Sequence, residues 1–132
     1  METWKALTVL VGRILLVLIF VNSGIGKIGN FAGTAQYMAK FGMPLTTFFL
    51  GGAIFLELVG SISVILGYFT WLGALLLIIF LIPTTVIFHT NFAEQAQAIH
   101  FMKNVSMLGG CFILLSAGAG RLSLDHLLEK VA

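Results

Sequence analysis

This sequence predicts an all-α integral membrane protein, a bundle of four transmembrane helices with a short interfacial helix between the first two. Three observations carry the prediction. Charged residues make up 9% of the 132 positions, against about 25% in ordinary soluble domains. The apolar share is 59% and the mean hydropathy +1.08, more apolar surface than a soluble fold of this size can hide from water. Between Glu57 and Glu94 the chain runs 36 residues without a formal charge, interrupted only by His89, which is room for two crossings at roughly 17–25 residues each. Uncharged stretches between Arg13 and Lys27, Lys40 and Glu57, and Lys103 and Arg121 allow four spans in all, within one domain over residues 1–132.

The first span is expected at about residues 7–24, ending in the breaker-rich GIGKIGN of Gly24 to Asn30. Arg13 falls inside this apolar run and no small-residue cleavage site precedes a soluble domain, so the first helix is expected to be retained rather than cleaved as a signal peptide. Residues 31–41 are too polar to span. Their rings, Phe31, Tyr37 and Phe41, alternate with Thr34, Gln36 and Lys40, which suits a short helix at the membrane interface or a packed cap over the bundle. Gly42 and Pro44 close it. The second span covers about 45–66, the GYFT of Gly67 to Thr70 makes a tight turn, and the third covers about 71–89 with Pro83 expected to kink it. Thr90 to His100 reads as a loop, and the fourth span as 101–118. A leucine-repeating tail from Arg121 reads as a short surface helix with Ser123 at its N-cap. Four spans put both termini on one face, here called the terminal face, and the two longer loops on the other, the loop face. Lys5, Arg13, Arg121 and Lys130 on the terminal side slightly outweigh Lys27, Lys40 and Lys103, favouring cytoplasmic termini.

Net charge is +2 and the basic residues are scattered, which excludes a nucleic-acid surface. Cys111 is the single cysteine, so an intrachain disulfide or CxxC relay is excluded. GIGKIG matches the dinucleotide pattern GxGxxG, but it follows a membrane helix rather than a strand and lacks the acidic residue about 20 positions on. Ionisable groups inside a span are costly and normally face the bundle interior. Arg13 and Glu57 meet that description. Each has a structural reading, register or snorkelling, beside a functional one, and similar depths in adjacent antiparallel helices make an intramembrane Arg13–Glu57 ion pair the expectation. Lys27, His89, His100, Lys103 and Asn104 should all lie near the loop face, where lysines with imidazoles suit an anion or the carbonyls of a quinone. As a metal site, His89 and His100 lack helical ligand spacing and a third ligand, so no metal is expected. Asp125 and His126 read as solvated tail residues.

Several segments in order resemble the DoxX family: GIGKIGNFAGTAQYMAKFGMP at Gly24 to Pro44, LELVG around Glu57, LGYFT before the third span, HFMKNVSMLGG at His100 to Gly110 and GAGRLSLD at Gly118 to Asp125. The resemblance spans nearly the whole chain. It implies a multi-pass protein of the bacterial cytoplasmic (inner) membrane, related to DoxD, the subunit associated with thiosulfate:quinone oxidoreductase, and hence an oxidoreductase subunit. The chain has no flavin, haem or nicotinamide motif, so no covalent cofactor is expected, and a redox role implies a partner protein that carries the electron-transfer group. Two functions follow as expectations. One is a membrane subunit of a quinone-linked redox system, with quinone or a small anion held by the loop-face residues. The alternative is a non-catalytic module that binds a lipophilic molecule or assembles partner proteins, its small-residue helix faces also suiting a homo-oligomer. A proton-coupled carrier through Arg13 and Glu57 is a third.

Overall fold

The computed structural model describes residues 2–131, with side chains through Glu129; the side chain of Lys130, counted above among the terminal charges, lies outside the described residues. Six helices follow one another: α1 (Thr3–Gly29), α2 (Phe31–Ala39), α3 (Thr46–Leu66), α4 (Thr70–Phe88), α5 (Gln95–Ala117) and α6 (Leu124–Val131), with no strand among the described residues. Four of them, α1, α3, α4 and α5, are long and apolar enough to cross a membrane.

Two boundaries differ from the sequence expectation. Helix α1 does not break at Gly24 but continues through GIGKIG to Gly29. A glycine costs a helix only about 1 kcal/mol, less than leaving backbone groups unpaired in lipid. Helix α5 starts at Gln95, inside the segment expected to be loop. The short helix between the first two spans is present as α2, and it packs as a cap against the start of α3 with Met38 buried beneath it. Helix α4 runs as helix through Pro83.

Helix α3 is central. It packs against α1 on one side and α4 on the other, and α5 packs on α4 and meets α1 at Gly110, where a Cβ would lie 3.0 Å from Leu16 Cδ1. The core they enclose is built from Val17 and Phe20 of α1, Val64 of α3, Ala74, Leu77 and Leu81 of α4, and Cys111 and Leu114 of α5. Outward-facing positions such as Leu15 and Ile113 stay apolar, as lipid contact requires. Helices α3 and α4 come closest through two glycines. A Cβ at Gly60 would lie 3.1 Å from the Gly73 carbonyl and one at Gly73 3.0 Å from that of Gly60, so only hydrogen fits between them.

The turn joining this pair ends α3 at Gly67, in the left-handed region at φ 66°, with Gly67 N–H donating to Val64 O and Tyr68 N–H to Ser63 O. That is the Schellman arrangement, which glycine favours because it carries no Cβ penalty. The tail folds back onto this turn. Asp125 N–H donates to Gly67 O at 2.8 Å, and Ser123 Oγ accepts from His126 N–H, capping α6 as its sequence suggests.

Candidate functional site

The inward stripe of α1 carries Arg13, Val17, Phe20, Gly24 and Lys27, and that of α3 carries Glu57, Gly60, Ser61 and Val64. At Gly24 the two helices approach so closely that a Cβ would lie 2.7 Å from Leu58 Cδ2. Just beyond that approach Lys27 Nζ donates to Glu57 Oε1 at 2.6 Å and to Ser23 Oγ at 2.6 Å, and sits 5.2 Å from the centre of the Phe80 ring. Glu57 is 1% exposed, and Lys27 reaches it from the rim.

This corrects the expected Arg13–Glu57 pair. Helical side chains lean toward their own N-terminus. In antiparallel α1 and α3 that direction carries Lys27 and Glu57 toward each other and Arg13 away from Glu57. Arg13 lies instead at the terminal face, buried, where its guanidinium serves four carbonyls: Nε donates to Val64 O, Nη2 to Ile65 O, and Nη1 to both Ala119 O and Leu122 O, at 2.7–2.9 Å. It thereby ties α1 to the end of α3 and to the segment between α5 and α6.

Asp125 belongs to the same end of the molecule and is not the solvated tail residue its position suggests. Its Oδ1 accepts from Phe69 N–H at 2.7 Å, and its Oδ2 from Thr70 N–H at 2.9 Å and Thr70 Oγ1 at 2.7 Å. A carboxylate from α6 thus caps α4, where the helix dipole favours negative charge. Partial burial pushes the Asp125 carboxyl up, but the hydrogen bonds from Thr70 and Phe69 together with the Arg13 charge outweigh it and hold the group below its ordinary value. A carboxyl depressed in the folded state adds stability above its unfolded value of about 3.9, and that stability fades as pH falls through the lower folded value. Thermal unfolding in detergent between pH 6 and pH 3 should therefore show a steeper acid loss for the wild type than for Asp125→Asn, and at pH 6 the variant should be less stable by about 1 kcal/mol, the usual worth of a cap. Parallel pH profiles would remove Asp125 from the cap.

On the loop side, α3 and α4 diverge and leave a cavity of about 730 Å³. Lys27 forms its rim on α1, Thr34, Tyr37 and Met38 its roof on α2, and the first half of α3 and second half of α4 its walls, ending at His89. Apart from Lys27, Thr34, Tyr37, Thr84 and His89 the lining is apolar or glycine. Tyr37, Phe41 and Phe88 pack on one another with centroids 4.8–5.8 Å apart and close the loop-face end.

Of the five loop-face candidates, then, Lys27 and His89 share the cavity. His89 Nδ1 is 2.7 Å from Gln97 Oε1, and the His100 ring lies 5.1 Å from the His89 ring, centre to centre, outside the lining. Asn104 is buried and donates to Thr85 Oγ1 at 3.0 Å, while Lys103, one residue and 100° away on α5, is exposed. The single convergent cluster expected from the sequence is therefore split by the helical register of α5. Glu57, the Ser23 hydroxyl and the aromatic roof belong to the cavity region and were not grouped with it beforehand. The inward stripe of α1, extended past Gly24, was the signal that could have joined Glu57 to Lys27. Among the described residues no three His, Cys, Asp or Glu side chains gather as a metal set.

Four membrane-spanning helices, an amphipathic cap and an intramembrane ion pair beside a lipid-level cavity define a multi-pass membrane protein. The chain belongs to the DoxX family, whose model matches residues 8–90, a range that holds most of α1, all of α2 to α4 and every residue lining the cavity. It is 40% identical over 130 residues to the inner membrane protein YqjF of Escherichia coli K12, covering 98% of both chains. It is also 37% identical over 127 residues to the inner membrane protein YphA of the same organism, covering 92% of this chain and 91% of the relative. No solved structure matches it. With relatives of that location and four spans of its own, it is a multi-pass inner-membrane protein.

Proposed function

We propose that this chain is the quinone-binding membrane subunit of a redox system whose electrons come from a partner protein. The observation that carries the reading is the Lys27–Glu57 pair at the edge of a mostly apolar cavity, with Lys27 in its lining and Glu57 held behind it. Because the Glu57 carboxylate offsets the Lys27 charge at 2.6 Å, the pair offers little net attraction for an anion, which supports a neutral ligand over a charged one. Lys27 has three N–H donors and commits two, to Glu57 and Ser23. The third suits a neutral acceptor such as a quinone carbonyl, and an apolar chamber with few polar groups is the usual form of a small-molecule site in this size range. Reduction of a quinone consumes two electrons and two protons. The electrons would come from an electron-transfer group on the partner, and His89, which lines the cavity on its loop side, would pass the protons.

The test is calorimetric titration of the protein in lipid nanodiscs with 2-methyl-1,4-naphthoquinone, with 2-methylnaphthalene and with phosphate. The quinone is expected to bind more tightly than the hydrocarbon, and phosphate not to bind. The double variant Lys27→Met with Glu57→Gln, which keeps the site neutral, should weaken quinone binding about tenfold, equivalent to about 1.4 kcal/mol. The alternative, a module that binds lipophiles without redox turnover, draws on the same apolar lining. Equal affinity for quinone and hydrocarbon would establish it, and binding of phosphate alone would sink both readings.

A further inference from the structure

We propose that the ligand enters the cavity sideways from the bilayer, between the first half of α3 and the second half of α4, and that it keeps an alkyl tail in that opening while its ring lies at Lys27. The inference rests on the quinone reading of the cavity and narrows the substrate class to neutral quinones with an isoprenoid-type tail, dissolved in the membrane.

The geometry begins at the opposite end of the helix pair. Gly60 and Gly73 hold α3 and α4 at near backbone contact toward the Gly67 turn, and the two helices bracket the cavity farther along. On the loop face the chamber is roofed by α2 and its packed rings. Its lining reaches the outer surface at the roof, where Tyr37 is 44% and Phe41 42% exposed, and more so toward the side. Residues that line the chamber also lie on the outer surface of the bundle: Phe48 is 72% exposed, Phe49 44%, Ile79 48% and Ile87 36%. These positions belong to helices long and apolar enough to cross a membrane, so a surrounding bilayer sets lipid against this side of the chamber. The opening is lined by apolar side chains on both helices, so it admits an alkyl chain without desolvating any ionic group, whereas a water-soluble substrate would have to cross lipid to reach it.

Gly52 marks the passage. It lines the chamber and is exposed, yet a Cβ built on it meets nothing within 4 Å, so a side chain there would extend into open space at the mouth. Its neighbour Gly51 is equally unobstructed but lies outside the lining. A glycine in a helix interior is no help to stability, and no close approach requires it at either position. The missing side chain at Gly52 is what keeps the mouth wide, which makes Gly52 a residue that determines specificity for tailed ligands.

The experiment compares Gly52→Phe with Gly51→Phe in lipid nanodiscs, using a menaquinone with a four-isoprene tail and the tailless 2-methyl-1,4-naphthoquinone as probes. Both variants should unfold at or above the wild-type temperature. Gly51→Phe should bind both probes as the wild type does. Gly52→Phe should lose at least about tenfold in affinity for the tailed quinone and keep its affinity for the tailless one. Undiminished binding of the tailed quinone by Gly52→Phe would overturn the passage, and equal loss of both probes would move Gly52 from the tail path to the ring chamber and overturn it as well. A wild type that binds the tailless probe and not the tailed one would overturn the tail alone, leaving the quinone reading standing. If the wild type binds neither, the quinone reading falls and takes the passage with it.

Discussion

Arg13→Ala is expected to destabilise the protein by about 3–5 kcal/mol, because several buried carbonyls lose a charged donor at once and each buried acceptor left unsatisfied costs about 1–3 kcal/mol. The guanidinium is 2% exposed and donates to four carbonyls on two separate segments. Ile65 O lies in the last turn of α3, where helix carbonyls lack a partner within the helix, Val64 O beside it also accepts from the Gly67 N–H, and Ala119 O and Leu122 O lie in the irregular segment after α5. Removing Arg13 strands acceptors in both places at once. Arg13→Lys should recover only a small part, because one ammonium with three tetrahedral donors cannot reproduce the planar fork that reaches both segments. Thermal unfolding in detergent is the measurement, and an Arg13→Lys variant as stable as the wild type would show that charge, not the fork, is what the site uses.

The second large effect is non-additive. Either single change, Lys27→Met or Glu57→Gln, should destabilise the protein, with the lysine change the greater at about 3–5 kcal/mol because it leaves the Glu57 carboxylate buried without its cation. The double change should cost less than the lysine change alone, since the remaining amide is neutral and Ser23 can still reach it. A double-mutant cycle isolates the coupling. Adjacent charged groups in one network couple by about 0.5–3 kcal/mol, and additive single effects would mean that the two side chains act separately. The same cycle run on Arg13 and Glu57 should be additive, because the two share no partner.

The four spans, the tight turn at Gly67 and the N-cap at Ser123 were legible because each depends on local chemistry: length of apolar run, a residue tolerant of positive φ, a hydroxyl three residues before an unpaired N–H. The partner of Glu57 was not. Arg13 and Lys27 fall on one stripe of α1, and helical periodicity cannot choose between them. The choice was hidden by ending the helix at Gly24, since a cluster of glycines is a breaker signal in water and a weaker one in lipid. The lean of side chains toward their own N-terminus did point away from Arg13, and it proves decisive once Lys27 is inside the helix. The role of Asp125 was illegible for a different reason. It caps a helix that starts 55 residues earlier, and the fold-back of a polar tail leaves no periodic trace. The cavity was half legible. Lys27 and His89 were expected at one face, whereas its volume depends on how far α3 and α4 diverge from the Gly60–Gly73 approach, a matter of register that a single sequence does not display.

The terminal-face network also imposes an order on how the protein is made. Arg13 enters the membrane with the first helix, but Ala119 and Leu122, which accept two of its hydrogen bonds, and Asp125, which caps the third crossing, are synthesised only after all four crossings. Until the tail emerges, the arginine must satisfy the two Nη1 donors with water or lipid headgroups, and the turn at Gly67 has no carboxylate over it. The bundle is therefore locked from its own end: the contacts that tie the first crossing to the segment after the last form only when the tail docks.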